Sequence, residues 1–146
     1  MMTMDSETAM QVLLDGELTV ERLGRDAVGG RFRAEDERGA VAWLARGTAY
    51  EYLHAIEFRE AGVRRGFHAH REHTESLYLI AGRLSLVARR AEGGERVTVE
   101  LAAGDVATFA PDVAHGLVAL EPSFAVSLGT GADPIDGGYP VPDLDG

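Results

Sequence analysis

Residues 62–82 read G-V-R-R-G-F-H-A-H-R-E-H-T-E-S-L-Y-L-I-A-G, and this stretch decides how the chain is read. His68, His70, His73 and the carboxylate Glu75 crowd into it, while the whole 146-residue chain has five histidines. His68 and His70 stand two apart. On a strand that spacing points both imidazoles to one face, which is a simple way to supply two nitrogens to one metal ion. Glu75 follows a polar turn, Arg71 to Thr74, and precedes the apolar run Leu77 to Ile80. A hairpin over this segment would bring Glu75 back over the face that holds His68 and His70. His73 reads as an exposed residue of the turn.

A fourth donor has to come from elsewhere, and His115 is the candidate. It closes the segment G-D-V-A-T-F-A-P-D-V-A-H, residues 104–115. Three imidazole nitrogens and one carboxylate oxygen suit a borderline divalent ion such as zinc, iron, nickel, manganese or copper. Calcium and magnesium would take mostly oxygen. Four protein donors leave one or two positions of a five- or six-coordinate ion open for chemistry.

Outward from this stretch the chain reads as strands. Tyr50 to Phe58 alternates, with Tyr50, Tyr52, His54, Ile56 and Phe58 on one face. Arg83 to Val87, Arg96 to Leu101, Val106 to Phe109, Gly116 to Leu120 and Phe124 to Leu128 follow, with turn signals about every ten residues. Asp15-Gly16 is a hairpin dipeptide, and Glu35 to Gly39 is a charged turn before a strand over Ala40 to Ala45. The segment Ser6 to Leu14 is a poor helix candidate. The pattern predicts an all-β chain: an N-terminal arm with short strands over residues 1–25, a barrel over 26–130, and an extended Pro/Gly-rich tail over 131–146. Residues 1 to about 10 read as weakly held.

Composition narrows the function classes. The net charge is -10, which argues against sequence-independent binding to nucleic acid or an anionic membrane surface and leaves room for a small anionic ligand held by a few arginines. There is no cysteine, so disulfides, thiolate ligands and a cysteine nucleophile are excluded. The start, M-M-T-M-D-S-E-T, lacks the basic and apolar regions of a signal peptide. No apolar run approaches the roughly 20 residues of a membrane span. A cytoplasmic location is expected.

Gly62, His68, His70, Glu75 and Gly82 resemble the first motif of the cupin superfamily at every fixed position. Residues 104–115 resemble the second, with Ala110 where a proline is usual, Asp112 where a glycine is usual, and Ala119 in place of an asparagine. The resemblance implies a double-stranded β-helix, a small jelly-roll barrel, with the metal bound inside by His68, His70, Glu75 and His115. Two further strings, D-x-R-G at Asp36 to Gly39 and R-G-x-H-x-H at Arg65 to His70, are similar to cupins that act on nucleotide-linked deoxysugars. These are the 3,4-ketoisomerases and the epimerase-type domain of capsular sugar reductases, the latter matching better because they keep the ligand residues.

That likeness implies an isomerase or epimerase acting on a nucleotide-linked keto-sugar in a biosynthetic pathway. His54 and Tyr52 are then the candidates for moving a proton. Arg65 and Arg38 are candidates for gripping a diphosphate, and Tyr78 for touching the substrate. Tyr50, Phe58 and Trp43 read as packing residues. Two other functions stay open: a non-haem metal-dependent dioxygenase and a non-enzymatic small-molecule binding cupin. Small cupins often pair through an edge strand, so a homodimer is expected.

Overall fold

The computed structural model describes residues 9–26, 29–131 and 138–146 of the chain. Alternating apolar and polar residues fold into thirteen strands: β1 (Ala9–Leu13), β2 (Leu18–Arg22), β3 (Phe32–Asp36), β4 (Gly39–Trp43), β5 (Tyr52–Phe58), β6 (Arg64–His70), β7 (His73–Ala81), β8 (Arg83–Arg90), β9 (Val97–Ala102), β10 (Asp105–Phe109), β11 (Val113–Ala119), β12 (Ser123–Gly131) and β13 (Gly138–Pro140). Two sheets face each other. One is ordered β1-β2-β10-β7-β12-β5 and the other β13-β6-β11-β8-β9, with every pairing antiparallel. The hairpin β3–β4 forms a separate two-stranded sheet. Among the described residues no helix is long and apolar enough to cross a membrane.

The core follows from the strand period. In β7 the inward set is His73, Glu75, Leu77 and Leu79; in β8 it is Leu84, Leu86 and Ala88. Leu77, Leu79, Leu84 and Leu86 are fully buried with Phe58, Leu101 and Phe109, each such leucine contributing about 2 kcal/mol relative to an exposed one. The polar residues cluster at one end of this interior and the leucines fill the other. That division leaves a site at one end of a well-packed barrel.

The described part of the N-terminal segment holds the short strands β1 and β2; β2 pairs with β10 inside a sheet and buries Leu18 and Val20. β1 extends that sheet through a hairpin at Asp15-Gly16. The expectation of a weakly held start falls mainly on residues 1–8, outside the described residues. The described end of the tail pairs as β13 with β6 and buries Val141 and Leu144 against Ala69, Val87 and Ala114 on the outside of the second sheet. The hairpin β3–β4 lies on the outside of the first sheet. There Arg31 donates to Glu21 Oε1 (3.0 Å), Ser76 Oγ (3.0 Å) and the Leu44 carbonyl (3.1 Å), tying the start of the hairpin to β2 and β7.

The segment 62–82 is not a hairpin. β6 pairs with β11 and β13, while β7 pairs with β10 and β12 on the facing sheet. Arg71 and Glu72 are the crossing between sheets. Glu75 therefore reaches the imidazoles across the barrel interior and not from a neighbouring strand.

Candidate metal centre

His68 and His70 project inward from β6, and His115 projects from the adjacent β11, directly opposite His68 in the register. One nitrogen from each of the three lies within 4.8 Å of the others. His68 Nε2 and His70 Nε2 are 3.3 Å apart. From the facing sheet, Glu75 Oε1 lies 3.3 Å from His115 Nε2, and Glu75 Oε2 accepts a 2.6 Å hydrogen bond from Ser127 Oγ on β12. His115 Nδ1 is 3.0 Å from the Val113 carbonyl. A carbonyl only accepts, so Nδ1 carries a proton and Nε2 is the nitrogen that faces Glu75 and the site. Phe109 stacks on the His115 ring at 4.1 Å and fixes its plane.

The electrostatics favour ligand-ready forms. Burial, then the neighbouring His115, lowers His68 to about 4. Burial, then His73 and His68, lowers His70 to about 3. Both are neutral at pH 7. Burial opposes the charge on Glu75, but the contacts of His115 and Ser127 win and hold its carboxyl below the usual range. The interior thus aims nitrogen lone pairs and one carboxylate at common points. A separation of 3.3 Å between donors is what two ligands about 2.0–2.1 Å from one tetrahedral ion would show. The donor set fits a borderline divalent ion.

A cavity of about 500 Å³ opens onto this cluster. Tyr52, His54 and Ile56 of β5 form one wall, and Arg65, Phe67 and Tyr139 belong to the facing sheet. The Tyr52 and His54 rings lie 4.6 Å apart. Burial and the charge of Glu75 raise the Tyr52 pKa, so its phenol keeps its proton. Arg65 sits at the rim and donates Nε–H to the Glu57 carbonyl (2.9 Å). Phe67 is the extra residue where β6 passes Gly116, and the bulge needs two successive left-handed residues, Gly66 (φ 86°) and Phe67 (φ 59°). This is the local reason for the R-G-x-H-x-H spacing: the bulge resets the strand so that His68 meets His115.

Three expected positions fall elsewhere. Arg38 lies on the exposed β3–β4 turn and pairs with Asp36, outside the cavity lining. A turn residue two positions from a carboxylate satisfies that partner first. Tyr78 is on the outward face of β7, where its hydroxyl accepts from Arg33 Nε (3.3 Å), because it stands an odd number of residues from Glu75. His73 is not an exposed turn residue. It is the first residue of β7, 3% exposed, with its ring 4.0 Å from His70. The strand begins two residues earlier than the polar sequence suggests, since Gly131 pairs with His73 at the far end of β12. Trp43 packs edge-on against Phe32 yet keeps 44% of its surface exposed.

Ser127, Gly129, Phe67 and Tyr139 were not marked by the sequence. A signal existed for two of them: the inward positions of β12 are Ala125, Ser127 and Gly129, all small, which leaves room for large groups opposite. A Cβ at Gly129 would overlap the Tyr52 ring.

No family model matches the sequence, and no curated protein matches it. Solved structures do. The dTDP-6-deoxy-D-glucose-3,5-epimerase of Legionella pneumophila, solved with dTDP-4-keto-L-rhamnose, superposes with a TM-score of 0.72 at 16% identity, covering 92% of this chain and 77% of the epimerase. The fold is a cupin double-stranded β-helix. A 4-keto-6-deoxy sugar epimerase from the novobiocin gene cluster of Streptomyces spheroides matches this chain at TM-score 0.72 and 12% identity, over 100% of this chain and 83% of that one. A sugar 3,4-ketoisomerase of Thermoanaerobacterium thermosaccharolyticum, solved with TDP, matches at 0.68 and 12%, over 87% and 90%. At these identities the likeness is one of fold.

Proposed function

We propose that this cupin holds one divalent transition-metal ion on His68, His70, Glu75 and His115 and isomerises or epimerises a keto-sugar carried on a nucleoside diphosphate. The observation that carries this reading is the placing of Tyr52 and His54 side by side on one cavity wall, beside the convergent imidazoles and Glu75. The fold neighbours named as sugar epimerases and ketoisomerases support it. A bound ion would supply positive charge where an oxyanion develops.

The chain's own residues do the rest. A cavity of about 500 Å³ admits a hexose. Arg65 at the rim meets the diphosphate, with the sugar directed inward. His54 takes the proton from the carbon next to the carbonyl, leaving its electron pair as an enolate. Tyr52, held protonated, donates a hydrogen bond to the sugar oxygen. The proton then returns either to the same carbon in the inverted configuration, which restores the carbonyl, or to the former carbonyl carbon, in which case the enediol's hydroxyl proton passes from one sugar oxygen to the other and the carbonyl moves by one carbon. Donor and acceptor share the β5 wall, and that favours the shift between neighbouring carbons.

The test is deuterium wash-in. Metal-loaded protein in deuterium oxide with TDP-4-keto-6-deoxyglucose should raise the recovered sugar by one mass unit, and His54→Gln should abolish the rise. No incorporation by the wild type at saturating sugar would overturn the reading.

A further inference from the structure

Two donor groupings overlap in this interior, and they share His70. One is His68, His70 and His115; the other is His70, His73 and Glu75, again with one donor atom per residue within 4.8 Å of the rest. All members of the first group line the cavity. In the second, His70 and Glu75 line it, and His73 is buried outside the lining.

His73 and Glu75 are two residues apart on β7, so both face inward. His73 is 3% exposed, with its ring tilted against His70 at 4.0 Å and Tyr52 set edge-on at 5.5 Å. An apolar side chain would pack this space without the cost of burying a polar ring. The position instead brings another nitrogen donor within 4.8 Å of the Glu75 carboxylate and the His70 imidazole.

We infer that His73 is a fifth protein donor, and that His70, His73 and Glu75 form an inner seat for the same divalent ion. The inference rests on the metal reading above and extends it. Five donors, four of them nitrogen, suit late first-row ions and disfavour magnesium and calcium. The fifth donor also makes a prediction that a four-donor site does not: losing His68 leaves four donors, the inner three among them, where a four-donor site would keep only three.

Cobalt(II) tests it, because its visible absorption reports coordination directly. Full-length protein is stripped with a chelator and titrated with cobalt(II) as wild type, His73→Phe, His73→Gln, His68→Ala, and His68→Ala combined with His73→Gln. Thermal melts establish that each variant is folded. The expected results are a changed spectrum and about tenfold weaker binding in the folded His73 variants, one retained equivalent in His68→Ala, and a further loss of at least tenfold in the double variant. Wild-type spectra and affinity in both His73 variants would overturn the inference while leaving the four-donor site intact. So would complete loss of binding in folded His68→Ala. A wild type that binds no cobalt(II) would overturn the metal reading and this inference together.

Discussion

Glu75 Oε1 lies 3.3 Å from His115 Nε2 although the two residues stand on opposite sheets of the barrel. Ser127 holds the other carboxylate oxygen, and the Val113 carbonyl holds the other imidazole nitrogen. Each donor is therefore oriented by a partner outside the cluster. Ser127→Ala should weaken metal binding by about tenfold with little change in the melting temperature of the metal-free protein. Glu75→Gln should weaken it more, because it removes charge as well as orientation. Competition against a coloured chelator measures both, and equal affinities for wild type and Ser127→Ala would contradict the assigned support.

In the proposed reaction His54 moves the proton and Tyr52 hydrogen-bonds the sugar oxygen, so their variants should differ. Tyr52→Phe keeps the ring over Gly129 and loses only the hydroxyl. It should lower kcat by about 10²-fold or more with KM little changed. Gly129→Ala removes no reacting side chain, yet its Cβ would overlap the Tyr52 ring and displace it. It should cost about 1–3 kcal/mol of stability and lower kcat as well. Steady-state kinetics paired with thermal melts separate the two effects.

Acid should destabilise the metal-free protein. The folded values of His68 and His70, about 4 and about 3, lie below the ordinary 6.5. The unfolded chain thus takes up protons first. Their contribution is complete above about pH 6.5 and is lost as the pH falls through about 4 and 3. Glu75, also lowered, acts with the same sign at lower pH. The melting temperature should drop by about 10 °C between pH 7 and 4.5, and less steeply in His68→Gln/His70→Gln. An equal slope in both proteins would place the acid sensitivity elsewhere.

The outer face of the first sheet is the surface on which a second copy is proposed to dock. Leu53 of β5 is 66% exposed and Phe124 of β12 is 41% exposed. Both point away from the barrel interior, since they alternate with Tyr52, His54 and Ala125. Light scattering should report a dimer for the wild type and a monomer for Leu53→Lys/Phe124→Lys. An unaffected dimer would move the interface to another face.

The fold and the clustering of His68, His70, Glu75 and His115 were legible for one reason. His68, His70, Glu75 and Gly82 have fixed spacing within a short segment, and spacing on a strand sets which face a side chain takes. What depended on distant pairing was not legible. The segment 62–82 looks like a hairpin from its turn, but which sheet β7 joins is set by β10 and β12. For the same reason His73 read as exposed: it pairs with Gly131 on β12 and packs against the His70 and Tyr52 rings, which no local pattern links to it. Tyr78 was misplaced although parity was available, since it stands three residues from Glu75 and must face the other way. Arg38 carried a motif, but its own turn already supplies Asp36 as a partner. Asp112, noted for replacing a glycine, does adopt the left-handed backbone (φ 63°) and accepts a 2.8 Å hydrogen bond from Tyr139 Oη.

Elemental analysis of protein purified without a histidine tag tests the central claim most directly. The account predicts about one equivalent of a divalent transition metal per chain after loading and dialysis, and a drop of at least tenfold in the combined His70→Ala/His115→Ala variant. A folded wild type that retains no metal after loading, or a double variant that retains as much as the wild type, would contradict it.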